Sequence, residues 1–183
     1  KIDTEDPVEQ VRLLLEAIDN PHTMFYKESE IPDVSEQDRL PSAEITNDIL
    51  IMRIPRLNRN INELSNLFDE HKRNSKGLII DLRDCGGGRE GTAEELQKRL
   101  VTKGDYEFGA NIVMSPEGAL TSKKCIFVSN NEKPYNKPIA VLTSGETFSS
   151  AERFLASLRS SRDVTVIGTD TRGGSANPET RRI

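Results

Sequence analysis

Residues 78–88 read LIIDLRDCGGG, an apolar run that breaks into three consecutive glycines. An uninterrupted run of this kind is typical of a strand that is covered on both faces of a sheet. Strand patterns on either side of it alternate with helical patterns, which predicts an α/β fold with a mainly parallel sheet and flanking helices. The other main strands are expected at residues 48–55, 138–142 and 164–168, and the helices at residues 61 to about 71–76, 92–100 and 149–158.

The first 47 residues are expected to form a small helical segment and a linker in front of a core at residues 48–183. Asp6 and Pro7 suit the start of a helix that ends near Asp19, because Asp caps well and Pro fits the first helical position. Residues 27–47 hold two prolines and many charges, which predicts a surface connection with at most short structure. Two short strands are expected at residues 111–114 and 125–128.

Composition narrows the class of protein. The 183 residues carry a net charge of −5, which argues against nucleic acid as a partner. No run approaches the roughly 18 apolar residues that a membrane span needs. Cys85 and Cys125 are too few for a disulfide framework and are expected to be two separate thiols. Two His and two Cys without ligand-like spacing predict neither a metal site nor a cofactor.

Two predicted strand ends carry candidate chemistry. The glycines at 86–88 can bring bare N–H groups up to an oxyanion, although such turns are often only tight turns. Ser149 lies where a predicted strand leads into a helix, so the positive end of the helix dipole is close to its hydroxyl group. The N–H of Ser150 could then supply half of an oxyanion hole. The alternative role for Ser149 is a plain helix cap.

A catalytic serine needs a base, and histidine is the usual one. His71 lies at a polar helix end, where a solvated side chain is expected. His22 lies in a proline-bounded turn among apolar residues, which favours a positioned side chain.

Two segments of the sequence together resemble the S41 peptidases, the carboxyl-terminal processing or tail-specific proteases with their tricorn-core branch. One is Leu78–Arg83 leading into the glycines, and the other is Pro138–Leu142 followed by Thr147–Glu152. The similarity extends from His22 to about Gly174. It implies a core of the ClpP/crotonase type and a serine peptidase that cleaves peptide or protein substrates near their C-terminal ends.

The resemblance also implies roles for individual residues. Ser149 matches the nucleophile, and the N–H groups of Ser150 and of Gly87 or Gly86 match the oxyanion hole. Glu152 is expected to be structural, because it lies one turn beyond the serine on the same helix.

The base differs between branches of the family. One branch has a lysine at the position of Gly174, but no lysine follows Lys137 in this sequence. The other branch has a histidine from the N-terminal region, and His22 resembles that position. The resemblance therefore predicts a Ser149–His22 pair.

The sequence also departs from the family pattern. Cys85 stands where the family usually has Asn. The tricorn-like branch has a glutamate well downstream that orients the histidine, and this sequence ends at Ile183. We therefore expect a fragment of a longer domain.

The spacing leaves no room for a PDZ insertion, so the sequence resembles the short members that include the nisin-resistance proteins. This implies a location outside the cytoplasm, with a membrane anchor in a segment absent from the sequence. Residues 1–48 hold 13 acidic and 4 basic residues, which would suit a cationic peptide substrate. The sequence does not indicate an oligomeric state.

Two other functions fit the same fold. One is a non-catalytic module that binds a peptide or an apolar ligand. The other is an acyl-CoA enzyme of the related crotonase type, which is disfavoured because no basic patch is dedicated to a nucleotide phosphate.

Overall fold

The computed structural model describes residues 6, 9–13, 40–57, 60–115 and 117–174. The chain divides into two compact units, residues 1–35 with 176–183, and residues 36–175. In the first unit residues 9–13 are helical, and the Gln10 N–H donates to the Asp6 carbonyl at 3.0 Å. This agrees with a helix that starts at Asp6. The rest of that predicted helix, and His22, lie outside the described residues.

The second unit is built on a five-stranded sheet in the order β1-β2-β3-β6-β7. Strands β2, β3, β6 and β7 are parallel, and β1 is antiparallel at one edge. The mainly parallel α/β fold that the sequence predicts is therefore confirmed. The strands of this sheet are β1 (Ser42–Thr46), β2 (Ile49–Arg53), β3 (Gly77–Asp81), β6 (Ile139–Thr143) and β7 (Thr165–Gly168).

Strand β3 occupies the centre of the sheet because both of its faces are apolar. Ile80 is fully buried and pairs with Met52 of β2 on one side and with Val141 of β6 on the other. Asp81, the last residue of β3, is in register with Leu142 of β6. The carboxyl ends of the two strands therefore coincide, and the loops that follow them begin at the same edge of the sheet.

Three helices cover the sheet, namely α1 (Glu63–His71), α2 (Glu90–Leu100) and α3 (Ser150–Ser161), and a 3-10 turn (Lys72–Asn74) follows α1. Helix α2 packs against both α1 and α3. The core that they enclose includes Phe68 and Leu96, both fully buried, and Leu158. All three helices lie where the apolar periodicity predicts them.

Strands β4 (Gly104–Met114) and β5 (Leu120–Ser129) form a separate antiparallel ribbon. The prediction of two short strands here was wrong in extent. Phe127, near the base of the ribbon, is buried, whereas Ile112 near the tip is 70% exposed. In β5 the missed residues 120–124 are all exposed and so lack the apolar alternation that marks a half-buried strand. In β4 the missed residues 104–110 lie towards the base, and the burial of residues 104–109 does alternate.

Strand β1 lies in the stretch that was expected to be a surface connection. It joins β2 through Asn47 and Asp48, whose φ angles are +50° and +65°. Two consecutive positive φ angles are the requirement of a two-residue type I′ hairpin turn, for which Asn and Asp are suited. The strand itself is largely exposed, so it has no buried face to reveal it in the sequence. The boundary at residue 47 between an N-terminal segment and the core stays a prediction.

Candidate active site

Two loops meet at the carboxyl edge of the sheet, residues 82–89 after β3 and residues 144–149 after β6. The Phe148 N–H donates to the Cys85 carbonyl at 3.0 Å, and the Thr147 hydroxyl donates to the Leu82 carbonyl at 2.8 Å. The two sequence motifs, which are far apart along the chain, therefore form one site.

Ser149 is the residue immediately before α3, and its backbone is unusual. Its φ and ψ angles are +56° and −124°, a region that residues with a side chain rarely adopt. Such a conformation costs about 1–3 kcal/mol and persists where the surrounding structure enforces it. The position also exposes the side chain to the positive end of the α3 dipole. The plain helix cap, which normally has β-region backbone angles, does not account for this strain.

The glycine turn lies directly against Ser149. A Cβ atom added to Gly87 would lie 2.9 Å from the Ser149 Cβ and 2.8 Å from the Phe148 carbonyl oxygen, so only glycine fits here. Gly87 also has a φ of +92°. A Cβ added to Gly86 would meet nothing within 4 Å. Gly87 is therefore packed against Ser149, whereas Gly86 lies next to open space.

Ser150 joins α3 to the glycine turn. As the first residue of the helix, it has an N–H without a partner inside the helix. Its hydroxyl donates to the Gly88 carbonyl at 2.7 Å. This hydrogen bond connects Ser150 to the glycine turn, the two segments that are predicted to form the oxyanion hole. The sequence singled out the N–H of Ser150, and only the structure reveals the role of its hydroxyl.

Glu152 connects the serine to a third segment. Its Oε2 accepts a hydrogen bond from the Ser149 N–H at 2.8 Å. Its Oε1 accepts one from the Thr171 hydroxyl at 2.7 Å and one from the Gly173 N–H at 2.9 Å. The expected structural role of Glu152 therefore extends beyond its own helix. Nothing in the sequence pattern pointed to Thr171, because this contact depends on how β6 and β7 pair.

The comparisons with known proteins cover the part of the chain that contains these loops. The model of peptidase family S41 matches residues 48–183, which include the glycine turn and Ser149. The chain belongs to peptidase family S41.

Individual S41 relatives and structures share parts of the chain. The carboxy-terminal processing protease CtpA of Bacillus subtilis (strain 168) is 31% identical over 118 residues, 61% of this chain and 22% of CtpA. A structure from Parabacteroides merdae, provisionally described as a peptidase, aligns with a TM-score of 0.65 and 23% identity over 86% of this chain and 52% of its own. A lipoprotein structure from Streptococcus agalactiae aligns with a TM-score of 0.58 and 20% identity over 93% and 64%.

These shares limit what the relatives say about function. The chain spans about a fifth of the length of CtpA and about half of the Parabacteroides structure. The structures confirm the S41-type α/β fold.

Cys85 is the departure from the S41 pattern nearest to the serine. Burial raises the pKa of this thiol to about 11, while the Gly87 N–H and the nearby Arg56 act in the opposite direction. The thiol is therefore protonated at neutral pH and is not a nucleophile. Its sulfur also faces the N–H of Gly87, one of the predicted oxyanion donors. Cys85 and Cys125 are both free, as predicted.

The Asp81 carboxylate also lies at this edge of the sheet, and two arginine side chains neutralise its charge. The Arg83 side chain donates to both of its carboxylate oxygens, at 2.9 and 2.7 Å, and lowers the pKa of Asp81 from its usual value. Arg53 lies 3.6 Å away. A carboxylate held in this way anchors the end of β3.

Of the two histidines, only His71 is described. It is half-buried at the end of α1, with Nδ1 2.9 Å from the Leu67 carbonyl oxygen. That contact ties its ring to its own helix. His22 stays a prediction.

Neither a metal cluster nor a membrane-spanning helix occurs in the part of the chain that the structure describes. Within it, no three His, Cys, Asp or Glu side chains form a group that could hold a metal ion. Within the same residues, no helix has the length and apolar character needed to cross a bilayer.

Proposed function

We propose that this chain carries the catalytic centre of a serine peptidase, with Ser149 as nucleophile and His22 as general base. The observation that supports it most is the positive-φ Ser149 between the first turn of α3 and the backbone of Gly87. A serine held in this way is exposed for attack, while bare N–H groups lie beside it.

The reaction follows the general scheme of serine acyl transfer. His22 accepts the proton of the Ser149 hydroxyl as its oxygen attacks the carbonyl carbon of the scissile peptide bond. The N–H of Ser150 and a glycine N–H of the 86–88 turn bind the oxyanion that forms. His22 then protonates the leaving amine, and water hydrolyses the acyl-enzyme to release the second product and the free serine.

Two glycines of the turn, Gly87 and Gly86, are the candidates for the second oxyanion donor. The Gly87 N–H faces the Cys85 sulfur, so oxyanion binding by Gly87 requires that this N–H turn towards the substrate or serve both acceptors. Gly86 offers a neighbouring N–H next to open space.

The substrate we propose is a peptide or protein cleaved near its C-terminal end. The name of the Bacillus subtilis relative, a carboxy-terminal processing protease, supports this substrate class. A cationic peptide would complement the acidic first 48 residues. A location outside the cytoplasm is also proposed, on the resemblance to the nisin-resistance proteins alone.

Two assays on the whole chain test the proposal, namely labelling by a fluorophosphonate probe and cleavage of a peptide library. We expect Ser149→Ala to abolish labelling and to lower kcat/KM at least about 1000-fold. The loss is large because the catalytic residues act together, so removal of one abolishes most of their joint contribution to the rate. His22→Ala should have an effect of similar size. Ser160→Ala, which removes an exposed serine of the same helix, should change neither.

Two results would contradict the proposal. Cleavage by Ser149→Ala at the parental rate would contradict the assignment of Ser149 as nucleophile. Unchanged cleavage by His22→Ala would contradict the assignment of His22 as base. Peptide binding without labelling or cleavage by the parent would instead identify a non-catalytic binding module.

A further inference from the structure

We propose that Glu152 is a positioning residue for the reaction, because its carboxylate fixes the Ser149 backbone and the segment 169–173 relative to each other. This inference rests on the proposed function and assigns a further residue to the same site.

The two carboxylate oxygens of Glu152 face different segments. Oε2 receives the Ser149 N–H at 2.8 Å, and Oε1 receives the Thr171 hydroxyl at 2.7 Å and the Gly173 N–H at 2.9 Å. Hydrogen bonds to an ionised acceptor are shorter and stronger than neutral ones. One side chain therefore holds the nucleophile from one side and a neighbouring loop from the other.

The contact with Ser149 acts on a strained residue. A positive φ at a residue with a side chain is unfavourable on its own, so other interactions must maintain it. The Ser149 N–H bond to Glu152 is one such interaction, and the packing of Gly87 against the Ser149 Cβ is another. Rotation of the Ser149 backbone would swing its Cβ and with it the hydroxyl oxygen. Glu152 thus influences where the attacking atom lies.

Ser149 and Glu152 form a capping box at the start of α3, and this motif accounts for the first contact without any role in catalysis. It does not explain the second oxygen. Thr171 and Gly173 belong to the segment after β7, outside helix α3. The carboxylate therefore serves a connection between segments as well as the helix end.

The segment 169–173 lies along the loop that carries Ser149. The Thr169 N–H donates to the Thr143 carbonyl at 3.3 Å, and the Arg172 N–H donates to the Thr147 carbonyl at 3.0 Å. The Arg172 guanidinium lies 5.2 Å from the centre of the Phe148 ring. These contacts hold the segment against the loop, and those of Glu152 hold it against the helix. Loss of the carboxylate would loosen both sides of the serine.

The test uses the whole chain and replaces the carboxylate stepwise. Glu152→Gln keeps the shape but replaces one acceptor oxygen with an amide donor, so it cannot accept from both the Ser149 and the Gly173 N–H groups. Thr171→Val removes the hydroxyl donor and leaves the Ser149 contact intact, and Thr171→Ser restores a hydroxyl. Glu63→Gln, in the first turn of α1, is the matched control for a carboxylate near a helix start.

We expect Glu152→Gln to lower kcat by about 10- to 100-fold with KM within about threefold, since a small displacement of a reacting group has effects of this size. The rate of fluorophosphonate labelling should fall in parallel. Thr171→Val should lower kcat by a smaller factor, Thr171→Ser should recover most of it, and Glu63→Gln should resemble the parent. Denaturant unfolding of each variant separates these losses from incomplete folding.

Amide hydrogen exchange provides a readout that does not depend on catalysis. Glu152→Gln should accelerate exchange at the amide of Ser149 or Gly173, whichever loses its acceptor, and leave Ile80 in β3 unchanged.

Parental kcat in Glu152→Gln, with Ser149→Ala inactive, would overturn the positioning role and leave the proposed function standing. A fall in kcat that matches the unfolded fraction alone would also overturn it. Cleavage that persists in Ser149→Ala would instead overturn the proposed function. Unchanged amide exchange at both Ser149 and Gly173 in Glu152→Gln would overturn the proposed bridge, whatever the cleavage rates are.

Discussion

The loop that carries Ser149 and the tip of the β4–β5 ribbon are both short connections with polar residues, but they are held in opposite ways. The loop is bonded to the turn after β3 through Cys85 and to the segment after β7 through Arg172. At the tip of the ribbon the backbone of each strand pairs with the other strand, and Leu120 is 71% exposed. A two-stranded ribbon alone is marginally stable in water. A strained backbone can therefore be maintained at Ser149, where other segments enforce it, whereas the ribbon depends on its local ladder and on its packed base.

A pair of apolar truncations should show the largest difference between the packed core beneath the sheet edge and the exposed ribbon. Phe68→Ala removes a fully buried ring that lies edge-on to Tyr135 at 5.3 Å, and should lower the free energy of unfolding by about 3–5 kcal/mol. Ile112→Ala, at a ribbon position that is 70% exposed, should change it by less than about 0.5 kcal/mol. Denaturant unfolding with matched slopes measures both. A large loss from Ile112→Ala would show that the ribbon tip is covered in solution.

Two glycines with positive φ form the next test. A Cβ on Gly168 would lie 2.0 Å from the Thr143 carbonyl oxygen, whereas a Cβ on Gly109 in the ribbon would meet nothing within 4 Å. Gly168→Ala should therefore cost about 2–4 kcal/mol, from backbone strain together with overpacking. Gly109→Ala should cost about 1 kcal/mol from strain alone. Equal losses in thermal unfolding would contradict the claim that close approach distinguishes the carboxyl edge of the sheet from the ribbon.

The smallest expected effect concerns pH and the buried thiol of Cys85. The pKa of Cys85 is raised from 9.0 to about 11 in the folded chain, so the unfolded chain loses its proton first as pH rises. The contribution of this group to stability is fully present below pH 9 and is lost between about pH 9 and 11, by about 2–3 kcal/mol. The parent should lose stability over that range more steeply than Cys85→Ala.

Cys125→Ala is the matched control for the loss of a buried cysteine side chain. Identical pH profiles for the parent and Cys85→Ala would show that the Cys85 thiol is not buried as the structure has it.

Much of the core could be predicted because its residues follow simple periodicities. The run from Leu78 to Leu82 predicts a central strand, and the spacing of Leu64, Leu67 and Phe68 predicts a helix, since burial on a sheet or helix face leaves a regular pattern. The base half of β4 was missed although its burial alternates, and the outer half of β5 was missed because it has no buried face. β1 was missed for the same reason.

The candidate site also has some features that could be predicted from the sequence and others that could not. Ser149 and the glycine turn could be found because each follows a strand and because their order resembles a known family. The Thr171 hydroxyl, the Ser150 hydroxyl and the facing of Cys85 towards Gly87 could not, because each depends on which loops become neighbours. Hydrogen bonds between distant segments leave no periodic signal in the chain.

The alternation of strands and helices, the buried central strand and the position of Ser149 where β6 leads into α3 can all be read from the order of the amino acids. These features follow from local preference and from apolar spacing. The positive φ of Ser149, its contact with Gly87 and the bridge from Glu152 to Thr171 and Gly173 arise from the packing of distant segments. The physical reason is that parallel pairing of β3, β6 and β7 brings their carboxyl ends to one edge, where strain and hydrogen bonds arise between residues that are distant in the chain.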